Sequence, residues 1–436
     1  MADNSPQNGN SFNAENQENN NENKNVGVKS TLRIQVVMLL FLIILIFSIV
    51  NYVLDHNKFF DIKKTTKLKQ PRIEANSSLM CGGKVLITGG YKNFLFESPL
   101  KTTEIYDLKT NKLIKGPDLN FVHVNYEQFI LPSCEVLIAD SEGQIESYNP
   151  KTNNFEIWNV KPEIFKNGGR KPTYTLLKDG NILITGGEHS YNGKNYSYYT
   201  FPNAEILDTK TKKITKLNDL PFPLAEHMFF YDKYGNVIIF GGKTTKFYKN
   251  KKRIIRTVEN HKTIEKTVDE KNVREIRPNS KLIKFDVLSN NFSTIENGKP
   301  LPHDRAVSVF PLNDESILVV GGKSKDPTYY ECIEAYNLRT QTITPFYEGG
   351  REMFPPIKFR IFENGKLFLF PICFGVVQKV LIFDIKNNQK IWFDDKNFNA
   401  FEKIILFKII RSNILQIGNS EYLLFSKKRI YRLIVK

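Results

Sequence analysis

Six basic side chains, Arg72, His123, Arg170, His227, Arg305 and Arg351, fall near the starts of successive apolar runs. A guanidinium presents a planar fork of donors that grips a carboxylate through two bonds. Arginines converging on one opening would therefore hold carboxylates, although each suits a structural ion pair equally well. Tyrosines gather in two segments that follow Gly-Gly pairs, with Tyr191, Tyr196, Tyr198 and Tyr199 in one and Tyr329 and Tyr330 in the other. Exposed tyrosines anchor recognition, and the same rings can instead pack a loop onto its support. Tyr191, Tyr198, Tyr329 and Tyr330 join the six basic residues as the candidate ligand-binding set. A third group lies between Lys243 and Ser280, where 12 Lys or Arg face five acids and Lys249, Lys251, Lys252, Arg253 and Arg256 bunch together. So charged a stretch reads first as a solvated, partly disordered excursion. The sharper reading is an arm that contacts an acidic partner or anionic lipid.

Other chemistries find little support. No G-x-S-x-G, H-E-x-x-H or phosphate-loop pattern occurs, so no catalytic residue is assigned. The four cysteines, Cys81, Cys134, Cys332 and Cys373, are far apart and form no C-x-x-C. They suggest neither a disulfide framework nor a zinc site, and no metal or cofactor is expected. A formal charge of +16 raises the question of an acidic partner. No nucleic-acid reading module accompanies it, so nucleic acid is not expected.

The elements that would position these residues begin after two N-terminal pieces. Residues 1–30 are dominated by Asn, Gln, Glu and Ser, a composition that cannot bury enough apolar area to order itself. Ile34 to Leu54 is an uncharged run of 21 residues, long enough as a helix to span a hydrocarbon core of roughly 30 Å. It predicts a transmembrane helix in a single-pass membrane protein. The Lys and Arg flanks lean toward a cytoplasmic C-terminal domain. Three N-x-S sequons, at Asn76, Asn195 and Asn291, matter only if the domain is exported.

From residue 57 the sequence repeats. The first half of each unit is an apolar strand ending in Gly-Gly: Val85–Gly90, Ile182–Gly187, Val237–Gly242 and Ile317–Gly322. Weaker copies span Val136–Asp140, Leu367–Ile372 and Ile414–Asn419, with Ala139-Asp140 and Pro371-Ile372 replacing the glycines. The second half is an apolar or aromatic residue followed by Asp or Asn, as in Tyr106-Asp107, Tyr148-Asn149, Leu207-Asp208, Phe285-Asp286, Tyr336-Asn337 and Phe383-Asp384. A polar tetrad and another apolar residue follow, which reads as a hairpin.

This pattern resembles the kelch repeat, a unit of about 50 residues that forms one four-stranded propeller blade. The resemblance covers residues 57–436 and implies an all-β, kelch-type β-propeller of seven four-stranded blades, with six as the alternative count. Residues 243–280 form a basic insertion in it. Phe60–Leu68 matches the second-half template and would complete the last blade beside the C-terminal strands, removing exposed sheet edges. The family often binds a partner peptide or a sugar on the face carrying the post-diglycine and interblade loops. The chain therefore reads as a membrane-anchored scaffold for a protein or glycan, without an obligate oligomer. The alternative is a propeller enzyme acting on an acidic, sialic-acid-type sugar in an exported compartment. Copper-oxidase relatives need a Tyr-Cys cofactor context that none of the four cysteines supplies.

Overall fold

Short apolar runs with few helix-forming stretches between them give strands throughout. The computed structural model describes residues 60–435, apart from 93–97, 124, 192–196, 260–261, 279–280, 296–307, 314, 321–331, 341, 349–356, 363–365, 374–375, 378, 385–388 and 395–412. The described residues belong to one unit, Phe60–Phe398 with Lys403–Lys436. Among the described residues its strands make six antiparallel four-stranded sheets and one of four strands with a short fifth, numbered here as blades in chain order, besides two two-stranded ribbons. Blade 1 comprises Asn76–Met80, Lys84–Thr88, Thr103–Asp107 and Leu113–Lys115, from inner to outer strand. Blade 2 comprises Tyr126–Ile130, Val136–Asp140, Ile145–Asn149 and Asn154–Ile157; blade 3, Thr173–Leu176, Ile182–Thr185, Ala204–Asp208 and Lys213–Lys216. Blade 4 has Met228–Tyr231, Val237–Phe240, Leu282–Asp286 and Asn291–Ile295, and blade 5 runs from Ser308 to Glu348. Blade 6 spans Ile357 to Asp394 and carries the extra short strand Val376–Val377.

The core lies between successive sheets, which is why the second strands are apolar without alternation. Val85 and Ile87 pack toward blade 7 with Leu423 and Ile430, whereas Leu86 packs toward blade 2 with Val136 and Ile138. All are buried. Burying a Leu or Ile fully stabilises by roughly 1.5–3 kcal/mol, and here both strand faces contribute.

Each aromatic-Asp motif does two things. The ring or aliphatic side chain is buried between sheets, and the following acid or amide closes the outer hairpin. The Oδ1 of Asp107, Asn149, Asp208, Asp286 and Asn337 accepts backbone N–H bonds from the residues two and three positions on. Tyr106 and Tyr148 also donate their hydroxyls to Asn111 and Asn153, which hold the left-handed turn position. This is the local competition with ladder bonds at which Asp and Asn excel.

Blade 7 joins the two ends of the described chain. Asn413–Gly418, Glu421–Ser426 and Arg429–Val435 are its inner three strands, and Phe60–Lys67 is the outermost. The N-terminal strand pairs antiparallel with the last, from Phe60↔Val435 to Lys67↔Arg429. The segment completes the blade as one continuous strand rather than as an aromatic-Asp hairpin. The repeat phase here also differs from the sequence reading. Ile414–Asn419 begins in the inner strand, and the second strand ends in a tight Lys427-Lys428 turn with no diglycine.

Two expectations are corrected. A transmembrane span needs roughly 20 apolar helical residues. No helix among the described residues is long and apolar enough to cross a membrane, the helix there being the four-residue Glu163–Lys166. Residues 34–54 lie outside the described residues, as does the tail 1–30. The transmembrane helix, the single-pass localisation and the cytoplasmic lean resting on it are withdrawn. The cysteine reading also changes, because Cys81 and Cys134 form a disulfide between the inner turns of blades 1 and 2. Closing a loop with a sequence separation of 53 stabilises a native state by about 4 kcal/mol on chain-entropy grounds.

Deleting Phe60–Lys67 is expected to expose the edge of Arg429–Val435, lower the thermal midpoint by roughly 10 °C or more, and promote self-association. Calorimetry with size-exclusion chromatography measures both effects. An unchanged midpoint would show that the outer strand is dispensable.

Candidate functional site

In an antiparallel blade, the connection from second to third strand and the loop into the next blade leave from the same end. Three second strands finish there in Gly-Gly, and the physical reason is a backbone contact. A Cβ at Gly90 would lie 2.6 Å from the Ile73 carbonyl oxygen, one at Gly187 2.9 Å from that of Arg170, and one at Gly242 2.4 Å from that of Ala225. The interblade loop thus lies directly on the diglycine, and the residue after it forms a bridge back: Tyr91 to Ile73, Glu188 to Arg170, Lys243 to Ala225. In blade 2 the register Val136↔Tyr148 matches Val85↔Tyr106, so Asp140 and Ser141 occupy the diglycine place rather than Ala139 and Asp140.

A buried glutamate two residues before the aromatic position clamps the same loop. In blade 1, Glu104 accepts the N–H groups of Lys69 and Gln70 and pairs with Arg72 at 2.9 Å. All five N–H donors of Arg72 are used, by Glu104, Thr102 and the carbonyls of Gly89 and Thr102. Arg72 is thus the structural ion pair that its residue type also allowed. In blade 2, Glu146 takes the N–H groups of Asn120 and Phe121, and His123 stands where Arg72 stood. Its Nε2 lies 2.7 Å from Glu146 and its Nδ1 2.8 Å from Asp140. A neutral imidazole has one N–H and would turn a lone pair toward one carboxylate, so the doubly protonated ring fits. Burial opposes that charge, but the two carboxylates outweigh it and raise the His123 pKa. Burial likewise opposes the Glu146 carboxylate, and its bonds to His123 and Asn120 hold its pKa low.

Blade 3 keeps the acid without a cation. Glu205 accepts the N–H of Glu163 at 2.9 Å, and burial raises its pKa. In blade 4 the pair becomes apolar: Leu224 and Ile283 occupy the two places, both fully buried. These glutamates escaped the sequence reading. Their signal was present as Glu104-Ile105-Tyr106, Glu146-Ser147-Tyr148, Glu205-Ile206-Leu207 and Glu334-Ala335-Tyr336.

His227 is buried, with Nε2 2.8 Å from the Thr185 hydroxyl of the preceding blade and Nδ1 without a partner. Burial pushes its pKa down to about 3, so it is neutral. Arg170 is exposed at the loop end. Arg305, Arg351, Tyr329 and Tyr330 lie outside the described residues.

The other candidates sit on two hairpins. Blade 3 sends out Glu188–Tyr191 paired with Ser197–Thr200, whose Tyr191 is placed opposite Ser197. Tyr198 is buried and donates to Glu188 at 2.7 Å, while Lys171 binds the other oxygen at 2.8 Å. Tyr199 stacks on His189 with centroids 4.7 Å apart.

Blade 4 sends out a much longer ribbon in place of the expected disordered excursion. Lys243–Glu259 pairs with Lys262–Pro278, two strands of 17 residues. At about 3.3 Å per residue the ribbon extends roughly 50 Å. Its base is tied to the blade 3 hairpin, because Thr200 and Thr245 each donate a backbone N–H to the other's hydroxyl at 3.1 Å. Register sets every acid of the ribbon opposite a base: Glu259 to Lys262, Glu265 to Arg256, Asp269 to Lys252, Glu270 to Lys251 and Glu275 to Lys246. Lys251, Lys252 and Arg256 are thereby matched, while Lys249, Arg253, Lys266 and Arg274 share one face with no acid opposite.

Comparison with known proteins agrees with this geometry. The kelch motif matches residues 76–120, which hold blade 1 and the first residues of the loop after it. The chain fits the kelch-repeat propeller family. No curated protein matches it significantly. The matched stretch holds one four-stranded sheet with its Gly89-Gly90 and Tyr106-Asp107 positions. The ribbon and the His123 cluster lie beyond the matched residues.

Two predictions test the clamp. Arg72→Leu alone should cost ~3–5 kcal/mol by stranding Glu104, whereas Arg72→Leu with Glu104→Ile, copying blade 4, should recover more than half. Urea unfolding of the double-mutant cycle measures the coupling. Because the folded pKa of His123 is raised, its stabilisation is complete below about pH 6.5 and is lost as pH rises through the folded value. His123→Arg should flatten that alkaline limb. The acid limb should persist, since His227 resists protonation as pH falls below about 6.5. Denaturation series from pH 5 to 9 would show no difference on the alkaline side if His123 were neutral.

Proposed function

We propose that this propeller is a protein-binding scaffold whose recognition face is the end carrying the diglycine connections and interblade loops. Kelch repeats commonly mediate protein binding, which gives the general class. The observation that carries the particular reading is the blade 4 ribbon. Loops on a rigid scaffold concentrate binding residues, and this one is braced at its base by the Thr200–Thr245 pair. Most of its unmatched positive charge falls on one face, where Lys249, Arg253, Lys266 and Arg274 recur along the strands, with Lys271 and Arg277 on the other. The complementary partner is a protein segment rich in Asp and Glu. Electrostatic matching of this kind raises the association rate and sets orientation. Exposed Arg170 extends the basic surface toward blade 3.

The clamp chemistry supports the division of labour. Arg72 and His123 are consumed in holding the interblade loops, so the face is fixed before a partner arrives. Preorganisation of that sort reduces the entropic cost of association.

Photo-crosslinking tests the face. A photoreactive residue at Lys249 or Arg253 should capture a partner protein, and one at Lys210, on an outer-hairpin turn at the other end of blade 3, should not. Charge reversal of Lys249, Arg253, Lys266 and Arg274 to Glu should weaken binding about tenfold or more and reduce its salt dependence. Equal capture at Lys210 would place recognition elsewhere, and unchanged affinity after charge reversal would remove the ribbon from it.

A further inference from the structure

The turns between first and second strands share one geometry in blades 1 to 4. In each, three residues lie inside the last paired positions (Met80 and Lys84, Leu131 and Glu135, Leu177 and Asn181, Asp232 and Asn236), and the N–H of the third donates to the carbonyl three residues earlier. The bonds are Gly83 to Met80 at 3.3 Å, Cys134 to Leu131 at 2.8 Å, Gly180 to Leu177 at 3.0 Å and Gly235 to Asp232 at 3.0 Å. The third residue has a left-handed backbone in every case, with φ of +76°, +67°, +90° and +90°. Three of the four are glycine, which takes that conformation without steric cost. Blade 2 places a cysteine there instead. Ser420 has a similar φ in the blade 7 turn, but serine can hydrogen-bond its local backbone and belongs among turn residues. Cysteine has no such compensation.

Its compensation is a covalent partner. Cys134 Sγ is bonded to Cys81, the first residue of the blade 1 turn, with Cα atoms 5.7 Å apart. That separation is typical of native disulfides. The bond crosses the seam that Met80, Leu86, Val136 and Ile138 fill with apolar side chains. Cys81 is exposed and Cys134 half-buried, so both sulfurs are within reach of an exchange catalyst. A left-handed cysteine on a glycine site and a bonded sulfur across a blade seam are independent observations, one of backbone and one of side chain.

We infer that Cys81 and Cys134 form a native cross-link and that this propeller matures and works in an oxidising compartment. The bond forms by thiol–disulfide exchange with a disulfide-bearing oxidoreductase. One cysteine thiolate attacks the donor's disulfide to give a mixed disulfide, and the other displaces the donor. Two S–H bonds break, one S–S bond forms, and the donor accepts the electron pair and two protons as a dithiol. Disulfides persist in exported environments and are rare where glutathione and thioredoxin keep thiols reduced.

Differential thiol labelling of the full chain in intact cells tests the inference. Free thiols are blocked with a membrane-permeant maleimide before lysis, and disulfides are then reduced and labelled with an isotopically distinct maleimide. Peptide mass spectrometry should find the second label on Cys81 and Cys134 in most molecules. The first label on both in most molecules would overturn the inference. A second measurement compares wild type with Cys134→Gly, with and without reductant. Glycine relieves the left-handed position, so the variant should melt above reduced wild type and below oxidised wild type. A wild-type midpoint indifferent to reductant, or a variant that melts highest in both conditions, would overturn it equally.

Discussion

The propeller end that carries the ribbon depends on one backbone contact, the seating of each interblade loop on the glycine pair that ends the next second strand. At Gly90, Gly187 and Gly242 the space a methyl group would need is filled by carbonyl oxygens of that loop. Once the two backbones touch, the loop's remaining polar groups are cut off from water and require partners. The third-strand glutamates supply them. Glu104 and Glu146 sit in the same ladder position and take the same two N–H groups, counted back from Arg72 and His123. A buried carboxylate then needs a cation, a donor or replacement, and blades 1 to 4 show each solution in turn.

Those solutions differ in what they demand of the solvent. A guanidinium is charged at any ordinary pH. His123 keeps its charge only while protonated, and Asp140 at the vacant diglycine site reinforces it. Leu224 and Ile283 avoid ionisation altogether. Replacing a buried pair by apolar residues is often neutral or stabilising, so the charged versions in blades 1 and 2 are not explained by strength alone. They orient the loop, because a guanidinium with five satisfied donors fits one arrangement of its surroundings.

Much of the fold was legible because periodicity survives in the residues that punctuate it. Gly-Gly and aromatic-Asp recur where the backbone needs left-handed turns or side-chain caps, and few residue types can do either. Where the geometry relaxes, the text blurs. Blade 7 turns through Lys427-Lys428 without a diglycine, so its second strand was read one strand early. Arg72 and His123 looked like site residues because sequence does not show that a buried glutamate lies across from them. The ribbon looked disordered because its composition is charged, and only register reveals that its acids and bases face each other. The disulfide was hidden for the same reason: two turns of neighbouring blades are close in space and distant in the chain.

The pairing of Phe60–Lys67 with Arg429–Val435 also sets a clock. A ribosome adds about 5–20 residues each second. The strand that begins at Phe60 therefore waits on the order of 20–75 s for the partner ending at Val435 to be made. Throughout that interval the outermost strand of the final blade has been synthesised and has nothing to pair with. Blades 1 to 4 can form in order behind it, each with local contacts. An early strand rich in lysine, Lys63, Lys64 and Lys67, suits that wait, because charge on an unpaired edge discourages other chains from occupying it.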